Sequence, residues 1–426
     1  MKRRISWRRL LSLSTIGVVC VSAQALAQTK VQVRFEDLKS LVESKNALVQ
    51  AKAKELQAAA IRENSLGRSF LPSAEIFAGQ ELFAKGPLSA RAQPVFGAEV
   101  RMNLYNGGRD QLEDQRSKLI RERKRFEGER VSAEELGKAR EAYWNAIYLR
   151  ELIGLLEEAR KNNVENLRAA ERRIRGGVAT ESDRVEFEMQ EIDLKREREK
   201  SELERNNQLR VLRVVLGLEG DGDVELRGDL THEHDWETSI AHTETDHAFL
   251  VKPAELHAQE AETAATARRR SWRPRIDAFA GFHQFNQREE PEFTEARDRQ
   301  ESVLGFRLSM NFSDQIGGNR EASSLSMEAN SAREEARYAH QEVEAHLHGE
   351  IAELRLLHNQ VHEADENIKR AERYYRLTRS EYDRGVKNSP DMLGATEKLV
   401  AMRKKRLEIV REFQVSKSHV LSKIGR

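Results

Sequence analysis

Apolar and polar residues alternate one by one in two stretches of this chain. In the first, Phe96, Ala98, Val100, Met102 and Leu104 interleave with Gly97, Glu99, Arg101, Asn103 and Tyr105. In the second, Leu304, Phe306, Leu308, Met310 and Phe312 interleave with Gly305, Arg307, Ser309, Asn311 and Ser313. A period of two over about ten residues predicts strands with one apolar and one polar face, long enough for a tilted strand to cross a bilayer. A looser alternation precedes each, with Ala74, Ile76, Ala78 and Leu82, then Ile276, Ala278, Ala280 and Phe282. The pattern therefore predicts strands at about 74–83, 95–105, 276–285 and 303–312, arranged as two hairpins. Their connecting loops, about 84–94 and 286–302, are rich in Pro, Gly and charge.

Elsewhere the period is helical. From about 110 to 175 there is no proline, and Tyr143, Ala146, Ile147, Leu149, Leu152, Ile153 and Leu156 recur at helical spacing. At 1.5 Å per residue this predicts a helix about 100 Å long. A second such segment runs from about 319 to 384, and shorter helices return over about 183–216 and 391–424. The apolar stripes are narrow and charged on both flanks, which suits helices packed sideways in a ring with water on both sides.

The strands and helices come twice. Leu71-Pro-Ser-Ala-Glu-Ile-Phe-Ala-Gly79 returns as Arg273-Pro-Arg-Ile-Asp-Ala-Phe-Ala-Gly281, and the pair Gly107-Gly108 returns as Gly317-Gly318. The offsets are 202 residues at the prolines Pro72 and Pro274, 208 at Met102 and Met310, and 210 at Gly108 and Gly318. A nearly constant offset is an internal duplication with small length changes in the turns. It divides the chain into a first repeat over 28–217, a polar linker over 218–247 and a second repeat over 248–426.

Composition agrees with long helices rather than a thick core, since 34% of the 426 residues are charged and only 6% aromatic. The net charge of +1 reflects interleaved acids and bases, so there is no basic face for nucleic acid. Residues 1–27 have the form of a signal peptide: Lys2, Arg3, Arg4, Arg8 and Arg9, an apolar run from Leu10 to Val21, and Ala25-Leu26-Ala27 at the cleavage site. The only cysteine, Cys20, lies in that run, so the mature chain has no thiol for a disulfide or thiolate metal site. No later stretch of some 20 apolar residues exists to form a membrane-spanning helix. Alternating strands could also belong to a small soluble sheet, but no apolar helix face lies near in sequence to cover them. Four strands cannot close a barrel in lipid, so membrane strands would require several chains to share one.

These features resemble the TolC-like outer-membrane efflux proteins over nearly the whole mature chain, from Phe35 to Arg426. The resemblance rests on the duplication, the Leu-Pro before the first strand, the glycine pairs, and two gap-free turns, Arg175-Gly-Gly-Val-Ala-Thr-Glu-Ser-Asp183 and Tyr382-Asp-Arg-Gly-Val-Lys-Asn-Ser-Pro-Asp391. It implies an α+β membrane protein in which each chain contributes four strands to a trimeric twelve-stranded barrel in the outer membrane, continuous with a periplasmic α-helical tunnel. It implies a homotrimer working with a periplasmic adaptor and an inner-membrane pump of RND, ABC or MFS type, set in outer-membrane lipid. The implied function is passive export through the exit duct of a tripartite efflux or type I secretion system. A competing reading is a periplasmic coiled-coil adaptor or envelope spacer, which would have no need of the strands.

The resemblance also places a gate at the far helix tips, formed by Ser182 and Asp183 with Tyr382 and Lys387, and a constriction acid at Asp391. A second acid of that constriction is absent, because Gly394 stands in its place. The same residues have a local reading. Ser389-Pro390-Asp391 predicts a helix start with Ser389 as N-cap, and Thr180 to Asp183 predicts a variant capping box. The turns Gly176, Gly177 and Val178, with Gly385 and Val386, are candidates for adaptor docking. Gly107-Gly108 and Gly317-Gly318 lack the spacing of a phosphate loop and are expected as strand-to-helix turns. No nucleophile with a plausible base stands out, and no enzyme or cofactor is expected. The linker histidines His232, His234, His242 and His247 are expected in a solvated loop with no metal, since spacing alone does not make a closed site.

Overall fold

The computed structural model describes residues 31–63, 65–84, 90–218, 224–240, 248–287, 297–310 and 313–425. The expected signal peptide over 1–27, with Cys20, and the linker residues His242 and His247 lie outside the described residues.

The chain begins with a short strand β1 (Val31–Val33) and helices α1 (Asp37–Lys45), α2 (Ala47–Glu63) and α3 (Ser65–Ser69). A hairpin follows, β2 (Ser73–Ala84) and β3 (Ala90–Asn106), and then the long helices α4 (Arg109–Arg175) and α5 (Glu181–Val215). The linker contributes β4 (Val224–Leu226) and α6 (Trp236–Ile240). The second repeat supplies α7 (Ala248–Arg269), β5 (Arg275–Gln287), β6 (Arg297–Ser309), α8 (Ser313–Asp383) and α9 (Ser389–Lys423). With 67 residues in α4, the first long helix is about 100 Å from end to end. Among the described residues no helix is both long and apolar enough to cross a membrane.

The strands run longer than the alternation alone predicts. β3 starts at Ala90, and Pro94 pairs with Gln80 inside the expected loop. Residues 85–89 and 288–296 of the two loops lie outside the described residues. The four long strands form one antiparallel sheet in the order β2-β3-β5-β6, so the hairpins of the two repeats sit side by side and β2 and β6 are its edges.

The two faces of this sheet are reversed relative to a soluble protein. Ile76, Phe96, Leu304, Phe306 and Leu308 lie on one face and are 76%, 52%, 86%, 78% and 67% exposed. Glu99, Arg101, Asp277 and Arg307 lie on the other, where Arg101 pairs with Glu99 at 2.8 Å and Arg275 with Asp277 at 2.9 Å. Gly97 is needed on this face because its cross-strand partner Phe77 lays its ring over it, and a Cβ there would come within 2.6 Å of the ring. A soluble sheet hides its apolar face and wets its polar one, and this sheet does the opposite.

The main core lies midway along the long helices. Tyr143, Ile147, Leu149, Leu152 and Leu156 of α4 pack with Leu38 and Val42 of α1, Leu354 and Val361 of α8, and Phe413 and Val420 of α9. Leu226, Leu230 and Trp236 of the linker join this core, and β4 pairs in parallel with β1. Gln414 Nε2 donates to the Thr231 carbonyl at 2.6 Å, and Lys417 pairs with Glu233. The described part of the expected solvated linker, 224–240, is thus docked, because its spaced apolar residues find a groove made by helices distant in sequence.

Where α1, α2, α4 and α5 meet, Asn46 is 3% exposed. Its amide nitrogen donates to Glu135 Oε2 at 2.9 Å and to the Val215 carbonyl at 2.7 Å, while its oxygen accepts from the Leu48 and Val49 amides. One side chain therefore starts α2 and ties it to the two long helices.

Candidate functional site

The far ends of the helical hairpins are built by the same local code twice. α4 ends in a Schellman motif: Gly177 has φ 76°, its N–H donates to the Ile174 carbonyl, and the Val178 N–H donates to the Arg173 carbonyl, each at 3.0 Å. α8 ends the same way, with Gly385 at φ 80°, its N–H on the Tyr382 carbonyl at 3.0 Å and the Val386 N–H on the Glu381 carbonyl at 2.9 Å. Positive φ is why glycine stands at both positions.

The returning helices begin with matched capping boxes. The Thr180 amide and hydroxyl donate to Asp183 Oδ2 at 2.7 and 3.0 Å. The Asp391 amide donates to Asn388 Oδ1 at 3.1 Å, and the Asn388 amide returns to Asp391 Oδ2 at 3.4 Å. The N-cap of α9 is therefore Asn388, one residue earlier than expected. Ser389 is instead the first helical residue and is buried at 1% exposure. An amide oxygen reaches the N3 amide as well as a hydroxyl does, and the shift frees Ser389 to face the other hairpin.

Tyr382 is the centre of the contact between hairpins. It is 1% exposed and packs with Ala169, Ala170, Phe187 and Met392 in a small core of its own. Its hydroxyl lies 3.3 Å from the Ser389 hydroxyl, and Ser389 in turn helps hold the Asp183 carboxyl below its ordinary value. Arg173, near the end of α4, spans the gap. Its guanidinium donates to the Tyr382 carbonyl at 2.8 Å and the Lys387 carbonyl at 3.2 Å, and sits 4.2 Å from the centre of the Tyr382 ring. One turn away, Arg379 of α8 donates to Asn166 of α4 at 3.0 Å.

Burial works against a charge on Asp183, but the Thr180 amide and hydroxyl, Ser389 and the positive field of Arg173 outweigh it and hold the carboxyl below its ordinary value of 3.8. The residues expected at the gate are thus only partly brought together. Asp183 and Tyr382 are linked through Ser389. Ser182 is exposed, and the Lys387 ammonium turns to Asp391 at 3.7 Å. Arg173 and Arg379 escape a sequence reading because a basic residue near a helix C-terminus is already accounted for by the helix dipole. Val178 and Val386 project from the tips at 67% and 72% exposure, beside Gly176, Gly177 and Gly385.

At the opposite end of the helices, Gly107 and Gly108 have φ 65° and 78° and turn β3 directly into α4. Gly317 and Gly318 do not do the same. They lie inside α8, which starts at Ser313, so the expected second glycine turn is corrected. The two residues inserted before this pair move it past the helix start.

Residues 244–418 match the family model described as outer membrane efflux protein. Across the whole chain the fold is similar to that of the outer-membrane channel OprN, with a TM-score of 0.78 at 12% identity over 92% of this chain and 89% of that one. It is similar to the Campylobacter jejuni CmeC outer membrane channel, with a TM-score of 0.75 at 12% identity over 92% and 85%. It is also similar to the open state of the Neisseria gonorrhoeae MtrE outer membrane channel, with a TM-score of 0.73 at 13% identity over 92% and 89%. No curated protein sequence gives a significant match.

The chain thus joins a sheet with an exposed apolar face to two helical pairs, the longer helix of each about 100 Å long. The second repeat carries the family's sequence pattern and the whole chain carries the corresponding fold. Residues 244–418 thus match the outer membrane efflux protein model, and the whole chain is similar in fold to solved outer-membrane channels.

Proposed function

We propose that three copies of this chain close into a twelve-stranded barrel and a helical tunnel that together form the passive exit duct of a tripartite efflux or type I secretion assembly. The observation that carries this reading is the sheet of β2, β3, β5 and β6: its exposed face is apolar, its other face is charged, and both edge strands are unpaired. In lipid an open edge is forbidden, so β6 of one copy needs β2 of the next. A periplasmic adaptor or spacer has no use for such a sheet, which is what disfavours that alternative.

The helix tips form the periplasmic mouth in this reading. The ties made by Arg173, Tyr382, Ser389 and Asp183 hold the two hairpins of a copy together, and opening separates them. Asp391, occupied in capping α9 and next to Lys387, narrows the same mouth. Val178 and Val386, with Gly176, Gly177 and Gly385, dock a periplasmic adaptor that connects the duct to an inner-membrane pump of RND, ABC or MFS type. Exposed valines at two equivalent tips support an apolar contact there.

The test is membrane fractionation with native mass determination, followed by conductance in planar bilayers. A trimer in the outer-membrane fraction that conducts is the expected result. A monomer in the soluble periplasmic fraction overturns the proposal.

A further inference from the structure

Four histidines meet on the outside of the helical core, far from the strands and the tips. His358 and His362 lie one helical turn apart on α8, and His232 and His234 alternate along the docked linker. All six separations between their ring centres fall between 4.8 and 6.3 Å. The four rings are therefore the corners of a compact tetrahedron. A metal ion bound 2.0–2.1 Å from an imidazole nitrogen lies about 3.2 Å from the ring centre, so four tetrahedral imidazole ligands have centres about 5.2 Å apart. The observed separations bracket that value.

His232 Nε2 and His358 Nδ1 face one another at 3.0 Å. Two nitrogens on one tetrahedral ion would stand about 3.3 Å apart. A hydrogen bond between imidazoles also requires that at least one ring be neutral, which is the form that ligates. Among the described residues no group of three or more His, Cys, Asp or Glu side chains is placed to hold a metal ion as the rings now stand. Binding therefore needs rotation of the rings about their terminal torsions, which are soft, and exchange of the 3.0 Å hydrogen bond for two metal bonds. The inner pair, His232 and His358, is half-buried and meets Phe413 edge-on and tilted, at 4.8 and 6.3 Å between ring centres. The outer pair, His234 and His362, is exposed, which leaves a route for the ion.

We propose that His232, His234, His358 and His362 form a structural site for a divalent late first-row metal ion of the zinc class, which staples the linker between the repeats onto α8. Imidazole ligands without thiolate or a dense set of carboxylates favour Zn²⁺ or its neighbours over Ca²⁺ and Mg²⁺. The ion closes a covalent path of 126 residues between His232 and His358. The proposal stands on these side chains alone and is independent of the channel reading.

The experiment uses the full-length mature protein in detergent, purified without a polyhistidine tag and stripped with EDTA. Zn²⁺ is then titrated at neutral pH by calorimetry. The expected result is one ion per chain, with affinity lowered at least about 100-fold in His358→Ala/His362→Ala. The exposed-pair variant His234→Ala/His362→Ala, which leaves the packing on Phe413 intact, is expected to lose binding likewise, while His340→Ala/His346→Ala on the same helix binds as the wild type does. Co²⁺ in place of Zn²⁺ is expected to give the strong visible bands of tetrahedral coordination. Absence of saturable Zn²⁺ binding, undiminished binding by the His234/His362 variant, or an octahedral Co²⁺ spectrum would each overturn the proposal.

Discussion

Arg173 stacks 4.2 Å from the centre of the Tyr382 ring while donating to the carbonyl of the same residue at 2.8 Å. A single side chain from the first repeat thus grips both the ring and the backbone of its counterpart in the second. The tyrosine carbonyl also accepts the Gly385 N–H of the Schellman turn, so any movement of Arg173 is felt at the tip of α8.

Replacing Arg173 by Ala should loosen the mouth. The stacking and the charge-assisted hydrogen bonds together are worth about 2–4 kcal/mol in a partly buried setting. The expected outcome is higher resting conductance of the channel in planar bilayers. Arg173→Lys should recover only part of the tie, because an ammonium cannot lie flat on the ring and reach two carbonyls. Resting conductance in Arg173→Ala equal to the wild type would count against the gate.

Acid should weaken the same tip. The folded-state value of Asp183 is depressed, so its contribution is fully present above the ordinary carboxylate value of 3.8 and is lost as pH falls below that value through the folded one. The protection factors of the amides in the first turn of α5, with the intrinsic pH dependence of exchange divided out, should therefore be unchanged between pH 5 and 8 and fall below about pH 4. Asp183→Asn should show the lowered protection at every pH.

The two faces of the sheet should respond differently to charge. Phe306→Arg on the outward face should cost about 2–4 kcal/mol and reduce the amount of protein assembled in the outer membrane. Arg307→Gln, one residue on but facing the other way, should assemble normally and alter only ion selectivity. Equal assembly of the two variants would refute the assignment of faces.

Asn46→Ala removes the amide that satisfies Glu135 and the Val215 carbonyl, leaving buried acceptors without their donor. A loss of about 2–3 kcal/mol is expected, seen as a lower urea midpoint for the helical signal. Asn46→Asp should be worse than Ala near neutral pH, since it places a carboxylate beside Glu135.

Much of the fold is legible in the sequence because its elements are long and strictly periodic. Phe96 to Leu104 reveals a strand and its faces, and Tyr143 to Leu156 reveals a helix and its stripe. The tip turns are legible because Gly177 and Gly385 need positive φ and few other residues accept it. What escapes is whatever depends on two distant segments meeting. β1 and β4 have three residues each, too few for a period to show. Ser389 has the profile of an N-cap, and only its burial against Tyr382 shows that Asn388 holds that place. His358 and His362 stand out as a helical pair only after the linker has brought His232 to them.

The sheet's two open edges have a genetic consequence. A chain that cannot be completed alone must pool its copies, and a copy defective only at the mouth still supplies sound strands to the shared barrel. In the proposed trimer, equal expression of normal and gate-defective chains leaves about one assembly in eight free of the defect, if the copies mix at random. Such mutations should therefore be dominant, whereas mutations that spoil the strand edges remove themselves from the pool and should be recessive.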